Sequence, residues 1–323
     1  MSTPHYPKHL LNLVTDRSLL QSTYDRAKLV AGIIYIISET SHVAHVYDQL
    51  PEIPAERVIV EPGRRGTASC VIAALARIKQ TEKSDEPIVF MHADHHIRDN
   101  QGFGETLQLA ARATVELKRM VLLGVEPTHP ATSYGYIERG KHLKGVYEVN
   151  SFKEKPNIGT AQKYMNRGRY LWNMGYFIAP LTVFEATIEA SAPELWNNYQ
   201  SLLKASDETQ FAKTYLGFTN EPIDTALIEK VDNLLVAPGS FDWMDLGSYP
   251  DVHQVSLQDE QGNTVQGKIA LEGVVNSYVR NDTEVPVVVI GLDNVAIVST
   301  PDGILVTNKS YAQRVGAVSK QVL

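Results

Sequence analysis

The sequence has one cysteine, no long apolar run and no excess of positive charge, and each absence excludes a class of protein. Cys70 stands alone among 323 residues, so no intramolecular disulfide can form and no Cys-x-x-Cys zinc site exists. No apolar stretch approaches the roughly 18 residues that a membrane-spanning helix needs. The opening MSTPHYPKHLLNLV lacks the charge and the long apolar core of a secretory signal. We therefore expect a cytoplasmic globular protein with no membrane partner.

The charge balance argues against nucleic acid as a partner. Acidic residues number 37 and basic residues 30, which gives a formal net charge of −7. A protein with this balance has no global positive field to attract a polyanion. Any phosphate-bearing ligand must be met by a local group of cations.

The pattern of apolar residues predicts an α/β protein with a smaller β domain at its end. Between residues 33 and 127, short β-branched runs alternate with amphipathic stretches, as in a mostly parallel sheet. Strands are predicted at 33–38, 57–62, 88–94 and 120–127, and helices at 41–50, 67–80 and 104–117. Strand-like segments follow residue 130, helices dominate 181–231, and short β segments without a regular repeat fill the chain from 262. We place the domains at 1–255 and 256–323.

Two aspartates stand where a metal ion could be held. Asp94 ends the apolar strand IVFMHAD, and ligands of open α/β sheets bind beyond the carboxyl ends of strands. Asp245 lies in FDWMDLGSY, and two such carboxylates could share one hard cation with phosphate oxygens. A turn or helix-cap aspartate explains each residue equally well. The neighbouring His95 and His96 do not favour a zinc site, because adjacent strand residues point to opposite faces.

Two other segments suit a phosphorylated ligand. Residues 139–169 carry eight basic residues against two acidic ones, which is the composition of a phosphate-binding patch or of an ordinary solvated face. Within FKEKP, alternation places Lys153 and Lys155 on one side and Glu154 on the other. In LWNMGYF, Asn173 and Gly175 interrupt an apolar strand, which indicates either close approach of a ligand or a β-bulge.

Seven segments together resemble the mannose-1-phosphate guanylyltransferases, in order and in approximate spacing. They are EPGRRGTASC, HADHHI, YGYIERG, VNSFKEKP, YLWNMGYF, IDTALIEK and WMDLGSY. The resemblance implies a doubly wound, mostly parallel, Rossmann-like nucleotidyltransferase sheet with a small all-β C-terminal domain. It also implies the reaction: an oxygen of mannose-1-phosphate attacks the α-phosphate of GTP in line, GDP-mannose forms and pyrophosphate leaves.

The resemblance assigns roles to individual positions. Asp94 and Asp245 match the acids that hold Mg²⁺, and Lys155 matches the lysine that meets the sugar phosphate. The other matching positions are Gly135, Glu154, Asn173 and Gly175 at the sugar, Asp224 and Lys230 in the same pocket, Glu61, Arg65 and Thr67 in the turn facing the base, and Lys8 as a catalytic cation. A homodimer is left open.

The sequence departs from the family pattern in two places. Gly66 stands where the pattern has Asn, which leaves base selectivity open. The family's first strand and GGxGTRLxPLS loop do not precede Pro7 and Lys8. Because that loop gives backbone N–H groups to the leaving phosphates, we expect low activity and reduced stability, and a start-site error or a truncation as the cause. The alternatives are a silent paralogue that binds nucleotide-sugar, and a transferase for another sugar or base.

Overall fold

The computed structural model describes residues 6–319; the first five residues, part of the segment expected not to be a secretory signal, and the last four lie outside this range. Contacts divide the chain into two compact units. The coil unit comprises Met1–Leu20, Asp94–His96 and Met244–Leu323, and the sheet unit comprises Gln21–Ala93 and Ile97–Trp243. This division differs from the expected boundary after residue 255, because three separate stretches of chain build the coil unit.

Helices and strands alternate over the first two thirds of the chain. The α-helices are α1 (Leu19–Lys28), α2 (Val43–Gln49), α3 (Gly66–Thr81), α4 (Asn100–Leu117), α5 (Ile158–Arg167), α6 (Leu181–Ser191), α7 (Pro193–Leu203), α8 (Glu208–Leu216), α9 (Ile223–Ala226), α10 (Tyr249–Val255) and α11 (Val315–Ser319). The strands are β1 (Ile36–Glu39), β2 (Val58–Glu61), β3 (Ile88–Phe90), β4 (His95–His96), β5 (Val121–Val125), β6 (Tyr136–Leu143), β7 (Val146–Lys153), β8 (Tyr170–Ala179), β9 (Leu235–Gly239), β10 (Met244–Asp245), β11 (Thr264–Gln266), β12 (Ile269–Glu272), β13 (Tyr278–Asn281), β14 (Val287–Ile290), β15 (Val295–Thr300) and β16 (Gly303–Asn308).

A six-stranded mixed sheet forms the centre of the sheet unit. Its order is β3-β8-β5-β9-β7-β6, with a further pairing of β8 with β6. β5 and β9 are parallel, whereas β8 runs antiparallel to β3, β5 and β6, and β7 runs antiparallel to β6 and β9. The expectation of a mostly parallel sheet is therefore wrong for this sheet. β1 and β2 pair in parallel as a separate two-stranded sheet.

Apolar side chains cover both faces of the central sheet. β5 is buried along its whole length, and its residues alternate between two clusters because strand side chains alternate in direction. Leu122 packs with residues of α3 and α6 such as Ile72 and Phe184. Val121 packs on the opposite face with Phe103 of α4. Helices thus lie on both sides of the sheet, as in a doubly wound fold.

Strand β9 is a central element that the sequence pattern did not predict. It lies between β5 and β7, and its Leu235, Val236 and Ala237 are fully buried. Its segment LLVAPG contains Pro238, a residue that usually marks strand edges or ends. β5 and β7 pair with the two edges of β9, and its side chains are buried in the apolar clusters on the two faces of the sheet.

The coil unit contains a short parallel β-coil. Tyr278 pairs with Ala296, Ile269 with Val287 and Val275 with Asp293 at one common spacing. Thr264 pairs with Tyr278 at a shorter spacing, so the successive coils differ in length. The interior is a stack of valine and isoleucine side chains: Val274, Val279, Val289, Val295 and Ile297. The strand registers of the described residues therefore show a coiled course of the chain without a repeat of fixed length. β16 then pairs antiparallel with β15.

Within residues 6–319, no helix combines the length and the apolar composition required to cross a bilayer.

Candidate active site

Two aspartates and a lysine meet in the coil unit. Asp245 lies on β10, which pairs antiparallel with β4 and places Asp245 opposite His95. Asp94 directly precedes β4, so this short pairing brings two carboxylates distant in sequence to one place. Lys8, the first residue of a 3₁₀ turn, places its Nζ 2.8 Å from Asp94 Oδ2 and 2.7 Å from Asp245 Oδ1. The structure therefore joins three of the residues that the resemblance selected.

The environment of Lys8 keeps its ammonium group charged. Burial lowers the pKa of the Lys8 ammonium, but the negative charges of Asp94 and Asp245, and its hydrogen bonds to them, outweigh that effect. The net result is a pKa above the ordinary value for lysine. The ammonium is thus a permanent cation at neutral pH.

The carboxylate pair has the chemistry of a divalent-cation site. One oxygen of Asp94 and one of Asp245 lie within 2.8 Å of the same cationic atom, so the two carboxylates are arranged to share a positive charge. Carboxylate oxygens are the ligands that Mg²⁺ prefers, and that ion usually takes only one or two of them, with water and phosphate oxygens completing its shell. Asp94 and Asp245 therefore fit Mg²⁺.

A second group of polar residues lies in the sheet unit around Asn173. This residue sits on the buried strand β8, where its Nδ2 donates a hydrogen bond to Asp224 Oδ1 at 2.9 Å. Its Oδ1 accepts from the backbone N–H of Gly175 at 3.0 Å, and its own N–H donates to the carbonyl of Gly135 at 2.8 Å. Asn173 thus holds three of the predicted sugar-pocket residues in a fixed arrangement.

Glycine at position 135 allows a carboxylate to approach its Cα. A Cβ added there would lie 2.6 Å from Glu154 Oε2 and 3.2 Å from the Cβ of Asn173. The first contact is closer than side-chain carbons tolerate, and the second is tight. The missing side chain at Gly135 therefore lets Glu154 reach the Asn173 cluster.

Two acids in this cluster hold their protons more tightly than usual. Burial raises the pKa of Glu154, and the nearby Asp224 raises it further, although the ion pair with Lys155 at 3.1 Å opposes the shift. Burial also raises the pKa of Asp224, against the effect of the neighbouring His92. Partly buried carboxyl groups of this kind suit hydrogen bonding to hydroxyl groups.

Lys155 and Gly175 both have left-handed backbone conformations. Lys155 has φ of +41°, which is uncommon for a residue with a side chain, and its side chain is 62% exposed. Gly175 has φ of +71°, and a Cβ there would lie 2.6 Å from the His92 ring nitrogen Nε2. Strain of this kind persists where the surrounding structure fixes a functional geometry.

The turn from Glu61 to Thr67 is tied to the segment from Tyr215 to Ile223. Glu61 ends β2 and accepts a hydrogen bond from the Tyr215 hydroxyl, and burial raises the pKa of Glu61. Arg65 Nε donates to the carbonyl of Leu216 at 2.8 Å, and Thr67 Oγ1 accepts from the N–H of Ile223 at 2.8 Å. The three residues predicted to face the base are therefore together at one strand-to-helix turn.

Gly66 explains the departure from the family pattern at this turn. Its φ is +75°, and a Cβ would lie 2.7 Å from both the backbone carbon and the nitrogen of Glu221, and closer still to its carbonyl oxygen. Asparagine tolerates the left-handed conformation, but its Cβ would not fit against Glu221. Close packing of the two segments requires glycine here.

Comparison with known proteins identifies the family of this chain. The model of the nucleotidyl transferase family matches residues 3–262 of this chain. The chain belongs to the nucleotidyl transferase family. The mannose-1-phosphate guanylyltransferase of Klebsiella pneumoniae is 32% identical over 328 residues, which span 98% of this chain and 69% of that relative. The mannose-1-phosphate guanylyltransferase of Salmonella montevideo is 32% identical over 339 residues, or 100% and 70% of the two chains.

A solved structure shares the whole fold of this nucleotidyl transferase. It is described as a mannose-1-phosphate geranyltransferase from Thermus thermophilus and has a TM-score of 0.90 at 27% identity, covering 99% of this chain and 94% of the other. The α/β nucleotidyltransferase fold with a strand-rich C-terminal region is thereby confirmed. The nucleotidyl transferase is an enzyme related to the mannose-1-phosphate guanylyltransferases, as the resemblance implied.

The contacts of the nucleotidyl transferase add residues that the sequence did not single out. His92 lies against Gly175, and Glu229 Oε1 accepts a hydrogen bond from the N–H of Glu154 at 3.3 Å. Glu229 and the predicted Lys230 share one 3₁₀ turn, Ile228–Lys230, in which Lys230 is exposed. For Glu229 the segment IDTALIEK was the available signal, because Glu229 and Lys230 both belong to it.

Much of the basic stretch 139–169 forms ion pairs on the surface of the nucleotidyl transferase. Arg139 contacts Glu126 at 2.7 Å, Arg169 contacts Glu138 at 2.6 Å, and Lys144 pairs with Glu116. These cations already have acidic partners. For these three residues the structure favours the solvated face over the phosphate patch.

Proposed function

We propose that this enzyme transfers the guanylyl group of GTP to mannose-1-phosphate, forming GDP-mannose and pyrophosphate. The observation that carries the proposal is the Lys8 ammonium between the carboxylates of Asp94 and Asp245, at 2.8 and 2.7 Å. Cations gathered by two carboxylates are what phosphoryl-type transfer needs, because its transition state places charge on phosphate oxygens. The names of the relatives supply the sugar and the nucleotide.

The proposed reaction is an in-line displacement. An oxygen of the sugar phosphate forms a bond to the α-phosphorus of GTP while the bond from that phosphorus to the β-phosphate oxygen breaks. Mg²⁺, held by Asp94 and Asp245, would supply neutralisation of phosphate charge when bound. Lys8 remains a cation beside the pair and offers N–H donors to the reacting phosphates.

The Asn173 cluster is proposed to recognise mannose. Asp224 and Glu154 offer carboxyl oxygens to sugar hydroxyl groups, and Asn173 fixes the position of Asp224 through the 2.9 Å hydrogen bond. Lys155, exposed at the end of its segment, is proposed to meet the phosphate of mannose-1-phosphate. Its charge would balance that phosphate during attack.

The turn from Glu61 to Thr67 is proposed to face guanine. Guanine presents N–H donors that adenine lacks at the same edge, and a carboxylate is an acceptor that can read them. Glu61 carries such a carboxylate next to Arg65 and Thr67. We place the reaction in the cytoplasm, in keeping with the single cysteine of the chain.

A pyrophosphate-release assay tests the function. The enzyme is incubated with Mg²⁺, each of the four nucleoside triphosphates and a set of sugar-1-phosphates, with the Asp94→Asn variant as control. Release with GTP and mannose-1-phosphate above all other pairs is expected. No release with any pair, together with calorimetric binding of GDP-mannose, would favour the silent paralogue, and release with another pair would favour a different transferase.

A further inference from the structure

A hydrogen bond from an arginine links the chain segment that carries Lys8 to the β-coil. Arg280 on β13 donates from Nη1 to the backbone carbonyl of Asn12 at 2.9 Å. Its Nε lies 2.8 Å from both carboxylate oxygens of Asp282, which fixes the guanidinium plane. The Arg280 side chain is only 11% exposed, whereas Asn12 at the other end of the link is exposed.

The link from Asn12 to Lys8 is short and contains a hydrogen-bonded turn. Lys8–Leu10 form a 3₁₀ turn, and the N–H of Leu11 donates to the carbonyl of Lys8 at 3.0 Å. A displacement at Asn12 is therefore transmitted to the Lys8 backbone. Lysine has a long, flexible side chain, so its ammonium stays at one point only if its backbone is fixed.

The same apolar cluster anchors both sides of the charged site. Leu13 of the N-terminal segment packs with Tyr278 and Val298 of the coil and with Leu246. Leu246 follows Asp245 directly and is fully buried. The coil thus contacts the segment of Lys8 and the segment of Asp245 at once.

We propose that Arg280 is a positioning residue of the active site: by holding the chain at Asn12, it places the Lys8 ammonium between Asp94 and Asp245. The importance of that ammonium for catalysis rests on the proposed function, whereas its position does not. The C-terminal coil would then be a working part of the catalytic centre and not an appendage to it. No residue of the coil needs to touch a substrate for this effect.

The first test follows the position of Lys8 by chemical labelling and needs no measurement of enzyme activity. Lys8 is modified with acetic anhydride in the full chain, and mass spectrometry follows the rate. In Arg280→Met we expect Lys8 labelling to rise at least fivefold, because the ammonium leaves its two ion pairs. Lys268→Met is the matched control: it also removes a coil cation, whose nearest acid is the exposed Glu284 at 3.6 Å, and it should leave Lys8 labelling unchanged. Unchanged labelling in Arg280→Met would overturn the proposal.

The second test reads the consequence for catalysis. Arg280→Met should lower kcat about 10- to 100-fold with KM values for both substrates within threefold, and Arg280→Lys should recover part of the loss. In a Lys8→Ala background, Arg280→Met should cause no further loss, because residues acting through one group are not additive. Additive losses would contradict action through Lys8 and indicate a general structural effect.

Asp282→Asn provides a milder perturbation if Arg280→Met does not fold. It keeps the arginine but weakens the bond that fixes its guanidinium plane. We expect Lys8 labelling between the wild-type rate and that of Arg280→Met. An enzyme with no turnover but with the expected labelling pattern would refute the proposed function alone.

Discussion

Replacing Gly66 with alanine should destabilise the enzyme far more than the same change at Gly168. Both glycines have positive φ, +75° and +64°, and both lie at a helix end. At Gly168 nothing lies within 4 Å of an added Cβ, whereas at Gly66 the Cβ would lie 2.7 Å from two backbone atoms of Glu221. The pair therefore separates conformational strain from steric displacement.

The expected loss of folding stability follows from the contacts that must move. A left-handed conformation costs an L-residue roughly 1–2 kcal/mol, and this is the whole expectation for Gly168→Ala. Gly66→Ala also pushes back Glu221, whose carbonyl accepts from the N–H of Ala68 at 3.2 Å, and strains the bond from Ile223 to Thr67. Two weakened hydrogen bonds add about 1–3 kcal/mol, so the total is roughly 2–5 kcal/mol.

Urea unfolding measures both variants under identical conditions. The unfolding midpoint of Gly66→Ala should fall well below that of Gly168→Ala, and KM for GTP should rise only in Gly66→Ala if the turn faces the base. Equal destabilisation of the two variants would refute the steric argument, because it would mean that the segment at Glu221 yields without cost.

Three further predictions concern charged groups of the site. Asp94→Asn should abolish Mg²⁺-dependent turnover while the exposed Asp302→Asn retains it; undiminished activity in Asp94→Asn would rule out the metal role. Lys155→Ala should lose roughly 1.5–3 kcal/mol of binding free energy for mannose-1-phosphate. The loss should appear as a KM increase of about 10- to 100-fold for mannose-1-phosphate but not for GTP, with Lys153→Ala as the control. Equal KM increases for both substrates would contradict the proposed role of Lys155. Burial raises the pKa of Asp224, so its folded form binds a proton more tightly than the unfolded form, and its contribution to stability is present at low pH and lost as pH rises through the raised pKa. The Tm of Asp224→Asn should therefore gain on wild type as pH rises from 3.5 to 8, and a constant difference would refute the burial argument.

Local sequence was sufficient for most elements of the sheet unit but not for strand direction. The run around Leu122 is apolar on both faces and predicts a buried strand wherever it is placed. The run around Asn173 has the same character, and its periodicity is identical for parallel and antiparallel pairing. The antiparallel course of β8 therefore required the tertiary structure.

Strand β9 and the β-coil both form by pairing with strands that lie elsewhere in the chain. β9 includes Pro238 and gains its hydrogen bonds from β5, more than a hundred residues earlier, so no local pattern predicts it. The coil conserves only the inward direction of residues such as Val279 and Ile297, without repeating their identities. A search for recurring motifs cannot detect an arrangement of that kind.

The sequence indicated the residues of the candidate site but not their arrangement in two separate groups. The family motifs indicated Asp94, Asp245 and Asn173, and the apolar pattern separately marked Asp94 at a strand end and Asn173 inside an apolar strand. The ion pairs of Lys8 with both aspartates depend on the pairing of β4 with β10, which four residues form and no periodicity predicts. His92 was passed over because Gly175, its neighbour, lies far away in sequence.

Because three separate stretches of chain form the coil unit, the ribosome synthesises its parts at different times. The segment of Lys8 leaves the ribosome long before the residues from Met244 onward that it packs against. At roughly 5–20 residues per second, that segment waits on the order of tens of seconds for its partners. Leu11 and Leu13 are exposed to solvent or to chaperones during this interval, and the charged site closes only when the last third of the chain has been made.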